Sequence, residues 1–454
     1  MNEKKYLNLF NKIGYGTGDW AANMVYGIVT SFVMIYLTNT VGLNPSIVGT
    51  LIMLSKFADG VSDVLFGTLI DRTHSKMGKA RPWMLYSYIG NAVCLIAVFA
   101  IPESLGDTAK YAYFFIAYTL LNAVFYTANN IAYSSLTSLI TKNGAERVQM
   151  GTYRFIFATA ANLAVSNFTL KLVEGMGSGA AGWRNVAILY AVIGLVVNTF
   201  SVFSVKELPE DTLEEGTQKR QEKVGLIETL KTLLVNPYFD MLTGLYVLGY
   251  LSVSVSMGVA VYYFMYIMGD ANLFGTFMTM YSIPSVVGLI VVPMLVKKYK
   301  NIRNVNFVSF CIQIVFRVLF VVSAVRADYT LMLVAYGLCS LTNCSMMGTF
   351  NALVAEASEY TYRKTGKRLD GSMYSCTSFG MKVGSGIGSG ISGWLLAAGG
   401  FDSTALVQSA SCNQMLIFMF AGIPLIVVIA STVIYYFLKV EKANAKLRSE
   451  EAAQ

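Results

Sequence analysis

Long apolar stretches alternate with short polar ones along almost the whole chain. The apolar runs are too long for helices of a soluble core and read as membrane-spanning helices. Candidate spans cover roughly 19–38, 46–70, 82–102, 111–139, 149–173, 184–205, 237–267, 274–296, 305–325, 329–355, 372–398 and 413–438. Several exceed the ~20 residues that a bilayer requires, which predicts tilt or ends running beyond the hydrocarbon. The pattern predicts an all-α polytopic membrane protein with twelve transmembrane helices. The polar opening, Met1 to Lys12, lacks a cleavable signal pattern, so the first span is expected to stay as an anchor.

The longest hydrophilic stretch, Lys206 to Lys223, divides the spans six and six. It predicts a six-helix bundle over 1–205, a cytoplasmic linker at 206–235, a second bundle over 236–440 and a cytoplasmic tail at 441–454. Transporters built from two repeated bundles have this layout. Similarity between the halves is weak, so the repeat rests on span count and linker position.

Composition strengthens the membrane assignment. Of 454 residues, 55% are hydrophobic and 13% charged, and the mean hydropathy is +0.54. These values exclude an ordinary soluble multidomain protein. The net charge of +8 does not indicate nucleic acid, because its placement is periodic. Lys and Arg gather in alternate connections: Arg72, Lys76, Lys79 and Arg81; Lys219, Arg220 and Lys223; Lys297, Lys298, Lys300 and Arg303; Arg363, Lys364, Lys367 and Arg368. The other connections offer little beyond Lys110, Arg184 and Arg326. This asymmetry puts both termini in the cytoplasm of a multi-pass cell-membrane protein.

The six cysteines include no CxxC pair and read as packing residues, and the single histidine, His74, falls in a basic loop. No hydrolase constellation or metal cluster is visible. A polytopic enzyme or sensor, the rival class, therefore lacks support. No cofactor beyond a coupling ion is expected.

Polar residues inside the spans carry the chemistry. Asp59 and Asp63 are four residues apart and share one helix face. Each carboxylate at bilayer depth costs ~2.5–3.5 kcal/mol, and the two repel each other. A bound cation, shared protons or buried basic partners must offset that cost. Asn23, Asn129, Asn130, Thr127, Tyr126 and Tyr133 add amides, a hydroxyl and rings, while Lys56, Arg154, Arg317 and Lys382 add positive charge. Arg317 is isolated and reads as a snorkelling or carbonyl-bound side chain. Arg154 and Lys382 read as pocket residues. Amides match sugar hydroxyls, Tyr stacks on a ring face, and Arg forks onto carboxylates. The residues thus point to a cation-coupled transporter of a polar solute. The glycines of span eleven, Gly380, Gly384, Gly386, Gly388, Gly390 and Gly393, predict close helix packing.

Four stretches resemble the glycoside–pentoside–hexuronide:cation symporters, a branch of the major facilitator superfamily. They are GYGTGDWAANMVYG (14–27), KFADGVSDVLFGTLIDRTHSKMGKARPW (56–83), YTANNIAYSSL (126–136) and EASEYTYRKTGKRLDGSMYS (356–375). The resemblance spans nearly the whole chain and implies two six-helix bundles of the major facilitator type with alternating access. In the melibiose branch, two helix-two acids and a helix-four Thr bind the cation, which implies that role for Asp59, Asp63 and Thr127. That branch has Asn before the second acid, where Ser62 stands here. This weakens a sodium site and makes the coupling ion H+ or Na+, with H+ preferred. The branch's acidic sugar-binding positions carry Asn23 and Asn130 here, its helix-four Trp position is Ser134, and Tyr133 is the neighbouring ring. Arg154 and Lys382 match its helix-five Arg and helix-eleven Lys. The Asn positions resemble the glucuronide branch, implying a positively biased pocket and a hexuronide substrate, with neutral glycosides or pentosides as the alternative. Asp71, Arg72, Arg147, Glu356, Glu359 and Arg368 match positions of the family's cytoplasmic gate. The expected partners are a sugar, a coupling cation and the bilayer, with the protein acting as a monomer.

Overall fold

The computed structural model describes residues 5–209, 231–299, 301–366 and 369–452. Its long helices are α1 (Leu9–Thr40), α2 (Pro45–Asp71), α3 (Arg81–Val98), α4 (Asp107–Ile140), α5 (Gly144–Gly175) and α6 (Gly179–Ser204) in the first half. The second half contributes α7 (Pro237–Tyr266), α8 (Leu273–Tyr299), α9 (Ile302–Arg326), α10 (Tyr329–Thr365), α11 (Ser375–Ala398) and α12 (410–437). A further amphipathic helix, α13 (Val440–Ala452), follows. Among the described residues, nine helices pass a length-and-hydropathy test for crossing a membrane. Helix α2, with Lys56, Asp59 and Asp63 inside it, is not among them. The side chains that make it interesting are those that lower its hydropathy.

Local chemistry sets the helix starts. Asn44 accepts the Ser46 amide with Pro45 at the first helical position, and Asn236 does the same for α7 ahead of Pro237. Asn143, Asn301 and Asp328 cap α5, α9 and α10. These oxygens satisfy amides that lack an intrahelical partner. Gly366, in the left-handed region at φ 71°, ends α10. Three helices widen into π-turns: α1 at Tyr36–Thr40, α4 at Leu120–Tyr126 and α12 at Phe418–Gly422.

The chain divides into two compact units, Met1–Lys219 with Phe401–Leu406, and Arg220–Gly400 with Val407–Gln454. In the first, α1 packs on α5 and α6, α2 on α4, and α3 on α4 and α6. In the second, α7 packs on α11 and α12, α8 on α10, and α9 on α10 and α12. Adding six to each helix number turns the first set into the second. The repeat that sequence similarity scarcely reveals is explicit in the packing.

One clasp occurs in both units. The Glu207 carboxylate accepts the amides of Lys79 (2.7 Å), Ala80 (2.9 Å) and Arg81 (2.9 Å) at the start of α3. Arg81 Nε donates to the Val202 carbonyl near the end of α6 at 2.9 Å. In the second unit Glu441 accepts the amides of Ile302 and Arg303 at the start of α9, both at 2.9 Å. Arg303 Nε donates to the Tyr435 carbonyl near the end of α12 at 2.7 Å. A carboxylate on a helix N-terminus is favoured by the free amides and the helix dipole. Glu207, assigned to a linker by sequence, is thus fixed to the first bundle.

The glycine stripe of α11 lies against α7 as expected. A Cβ at Gly388 would stand 2.8 Å from the Leu251 carbonyl oxygen, and one at Gly384 would overlap the Val247 carbonyl. Only glycine lets these two backbones approach so closely. Of the cysteines, Cys94, Cys339, Cys344, Cys376 and Cys412 are buried and Cys311 is exposed, all unbridged.

Candidate functional site

Helix α2 presents Asp59 and Asp63 one turn apart, both partly buried, with Lys56 buried a turn before. The Thr127 hydroxyl on α4 meets the Asp59 carboxylate. It also lies 2.9 Å from the Asn122 carbonyl, whose residue belongs to the π-turn just before it. That wide turn hands both the backbone amide and the side chain of Thr127 to one carbonyl. Single π-turns within helices are frequent at functional sites. The Ser62 hydroxyl donates 2.9 Å to the Asp59 carbonyl of its own helix, so its proton is committed to the α2 backbone.

A second cluster joins α1, α4 and α5. Arg154 forks onto Asp19, with Nε 2.6 Å from Oδ2 and Nη2 3.4 Å from Oδ1. Its guanidinium lies over the Tyr133 ring, 4.3 Å from the centroid. Asn23 donates 2.8 Å to the Asp19 carbonyl and accepts 2.9 Å from Asn162. Asn130 and Ser134 stand one turn apart on α4, their polar atoms 3.5 Å apart, too far for a firm bond. Tyr26 and Tyr126 stack at 6.1 Å between α1 and α4, and Tyr126 directly precedes Thr127, which meets Asp59. The two clusters are therefore neighbours within one bundle.

Asp19 is the residue that sequence reasoning missed. It is an acid near the start of a span, the same signal that singled out Asp59, but it lies at the edge of the candidate run. Its presence changes the electrostatics: Arg154 is balanced, so the expected positive bias at this position is absent. Tyr133 also departs from expectation. It is 1% exposed, its hydroxyl donates to the Tyr15 carbonyl at 2.7 Å, and Tyr15 returns a bond to the Tyr133 carbonyl at 3.0 Å. Its ring supports Arg154 and offers no open face for stacking. Asn129 is likewise structural, donating 2.7 Å to the Met84 carbonyl. Arg317, half-buried, shares a stripe of α9 with the buried Gln313 and Phe320. Lys382 is partly buried on α11, in the other unit.

The candidate gate positions fall in both units, Asp71, Arg72 and Arg147 in the first and Glu356, Glu359 and Arg368 in the second. Arg147 donates from Nε to the Thr141 carbonyl at 3.1 Å, and Arg72 is exposed at the end of α2. Glu356 accepts from Asn444 of α13 at 2.7 Å, while Glu359 pairs with Arg363 at 2.5 Å and Arg363 also meets Glu451 of α13. These contacts tie α13 to α10 inside the second unit. The Asp71 side chain and Arg368 lie outside the described residues.

A family described as MFS/sugar transport protein matches residues 14–442. The chain belongs to this family. The transporter is 26% identical over 465 residues to the inner membrane symporter YicJ of Escherichia coli, covering 100% of this chain and 96% of that protein. It is 27% identical to the isoprimeverose transporter of Lactiplantibacillus pentosus, covering 97% and 90%. Its fold is similar to the crystal structure of a bacterial homolog to the human lysosomal transporter Spinster, with a TM-score of 0.70, 12% identity and 97% and 99% coverage. The transporter is thus a multi-pass major facilitator protein and not an enzyme.

Proposed function

We propose that this transporter couples the entry of a sugar or glycoside to a proton, bound at Asp59 and Asp63, across the cell membrane. Sugar–cation symport accords with the family and with relatives named as symporters. The observation that carries the coupling ion is the contact among Asp59, Thr127 and Asn122. A threonine hydroxyl has one proton, and neither a carbonyl nor an ionised carboxylate can donate. With Asp59 protonated, its proton can go to Thr127 and the Thr127 proton to Asn122, whose carbonyl also accepts the Thr127 amide. Two neighbouring acids favour such sharing, because their repulsion disfavours double ionisation. Ser62 offers a single hydroxyl oxygen where the melibiose branch carries a side-chain amide, a weaker ligand for a sodium shell.

The solute is read through hydroxyls. Asn23, Asn162 and Asn130 offer amide donors and acceptors beside a balanced Asp19–Arg154 pair. Glycosides, pentosides and hexuronides all present that pattern, but a hexuronide's carboxylate would have to be met elsewhere than at Arg154. The test uses proteoliposomes containing this protein alone, given labelled glycosides and pentosides outside, with unlabelled sugars as competitors. Uptake is expected to follow an imposed pH gradient in sodium-free buffer and to collapse with a protonophore. Uptake that requires sodium and ignores the pH gradient would overturn proton coupling; no uptake of any sugar would overturn the sugar assignment.

A further inference from the structure

Arg317 stands half-buried in the second bundle and, among the described residues, without a counter-ion. It lies nine residues before the end of α9, roughly 14 Å from it at 1.5 Å per residue, too deep for a lipid headgroup. It shares a stripe with Gln313, Phe320 and Ala324, all buried, while Val315 and Val318 on the other face are exposed. The side chain therefore points into the bundle. Its guanidinium sits 5.8 Å from the Phe320 ring centroid and 5.9 Å from that of Tyr336 on α10. Among the described residues it makes no hydrogen bond or ion pair, and its Nε is sealed from solvent.

Two more buried polar groups share that level. Asn306 bonds Thr349 at 2.7 Å and fixes the antiparallel register of α9 on α10. The register brings Gln313 level with Ser340, one turn from the Arg317–Tyr336 contact. Gln313 is 1% exposed and Ser340 0%, and Gln313 Oε1 and Ser340 Oγ both lack partners. Tyr281 on α8 completes the wall, its hydroxyl 3.3 Å from Asn343 Nδ2 and its ring 4.9 Å from Tyr336. Buried polar atoms are nearly always satisfied, and an unpaired charge at bilayer depth is costly. A forked cation, an amide that can rotate its NH2 inward and a free hydroxyl together make a donor set for an anionic oxygen group.

We propose that Arg317, Gln313 and Ser340 form a binding site for a carboxylate or sulfonate group within the second bundle. The group comes from the transported solute or from a small acid that binds without being carried. Purified transporter in neutral-lipid nanodiscs is titrated with D-glucuronate, methanesulfonate and, as neutral control, D-glucose, following thermal unfolding. The two anions raise the melting temperature of the wild type; Arg317→Gln weakens their affinity at least about tenfold, the scale of one charge-assisted bond, and leaves the response to glucose unchanged. Arg317→Lys, which keeps charge but loses the fork, falls between. Wild type indifferent to both anions, or Arg317→Gln responding as wild type does, overturns the site. Should Arg317→Gln not fold, Gln313→Leu with Ser340→Ala gives the same readout. Uptake of a labelled glucuronide against its matched glucoside separates the sources. Loss of glucuronide uptake alone in Arg317→Gln marks the solute, whereas binding without glucuronide uptake marks a small acid that is not carried. A wild type that binds anions but carries no sugar would sink the proposed transport activity and leave this site standing.

Discussion

Asp19 and Arg154 stand against each other in a bilayer-spanning bundle, and each is tolerable there because of the other. Their side chains are 15% and 25% exposed. Asp19→Asn or Arg154→Gln should therefore cost about 2–3 kcal/mol of stability, below the ~3–5 of a sealed pair. The double replacement should recover part of the loss. Thermal unfolding in detergent reads this cycle, and purely additive losses would mean the pair is not coupled. For Asp59 the expectation is functional: Asp59→Asn should abolish concentrative uptake while solute exchange survives, and full accumulation by that variant would contradict proton coupling there. Asp59 and Asp63 stand out in the sequence as charges within an apolar run, and the resemblance added Thr127, whose hydroxyl the structure brings to Asp59. That Arg154 is neutralised was not legible, since the pairing joins positions 135 residues apart on different helices.

At the scale of elements, boundaries and caps were readable from Asn–Pro starts and apolar run lengths, but π-turns leave no such trace. The Leu120–Tyr126 turn acts as one extra residue accommodated within a helix. Deleting Leu121, say, should restore a regular helix without turning the segment that carries Asn130. Folding should persist while Thr127 loses its shared carbonyl, so pH-driven uptake should fall more than protein yield. Equal loss of both would assign the turn a structural role only. Gly388 tests packing instead: Gly388→Val puts branched carbons into the α7 backbone, and overpacking of this kind costs about 1–3 kcal/mol or more. A melting temperature unchanged by that substitution would rule out the close approach. The clasps add a matched pair: Glu207→Gln and Glu441→Gln should each lower stability by about 1 kcal/mol, as lost charged caps do, and by similar amounts if the two sites are equivalent.

Across the whole molecule, two six-helix units repeat one packing scheme. The repeat was hidden in sequence because packing constrains residue size and clasps constrain a few charges, leaving most identities free to drift. Coupling belongs to this scale as well. Under the proposed coupling, linkage requires the sugar to raise proton affinity by the same factor by which protons raise sugar affinity. Sugar affinity measured between pH 5 and 8 should therefore strengthen toward acid, and an affinity independent of pH would count against the scheme. The two clasps have a further consequence. An ancestral gene of six helices that doubled would have passed Glu207–Arg81 and Glu441–Arg303 to both copies, as instructions for folding. The acids at depth did not follow. The first unit carries Asp19, Asp59 and Asp63 beside Lys56 and Arg154, while the second shows Arg317 and Lys382 in the middle of its spans. On that history the clasps are what the two units share, and the acids at depth are what sets them apart.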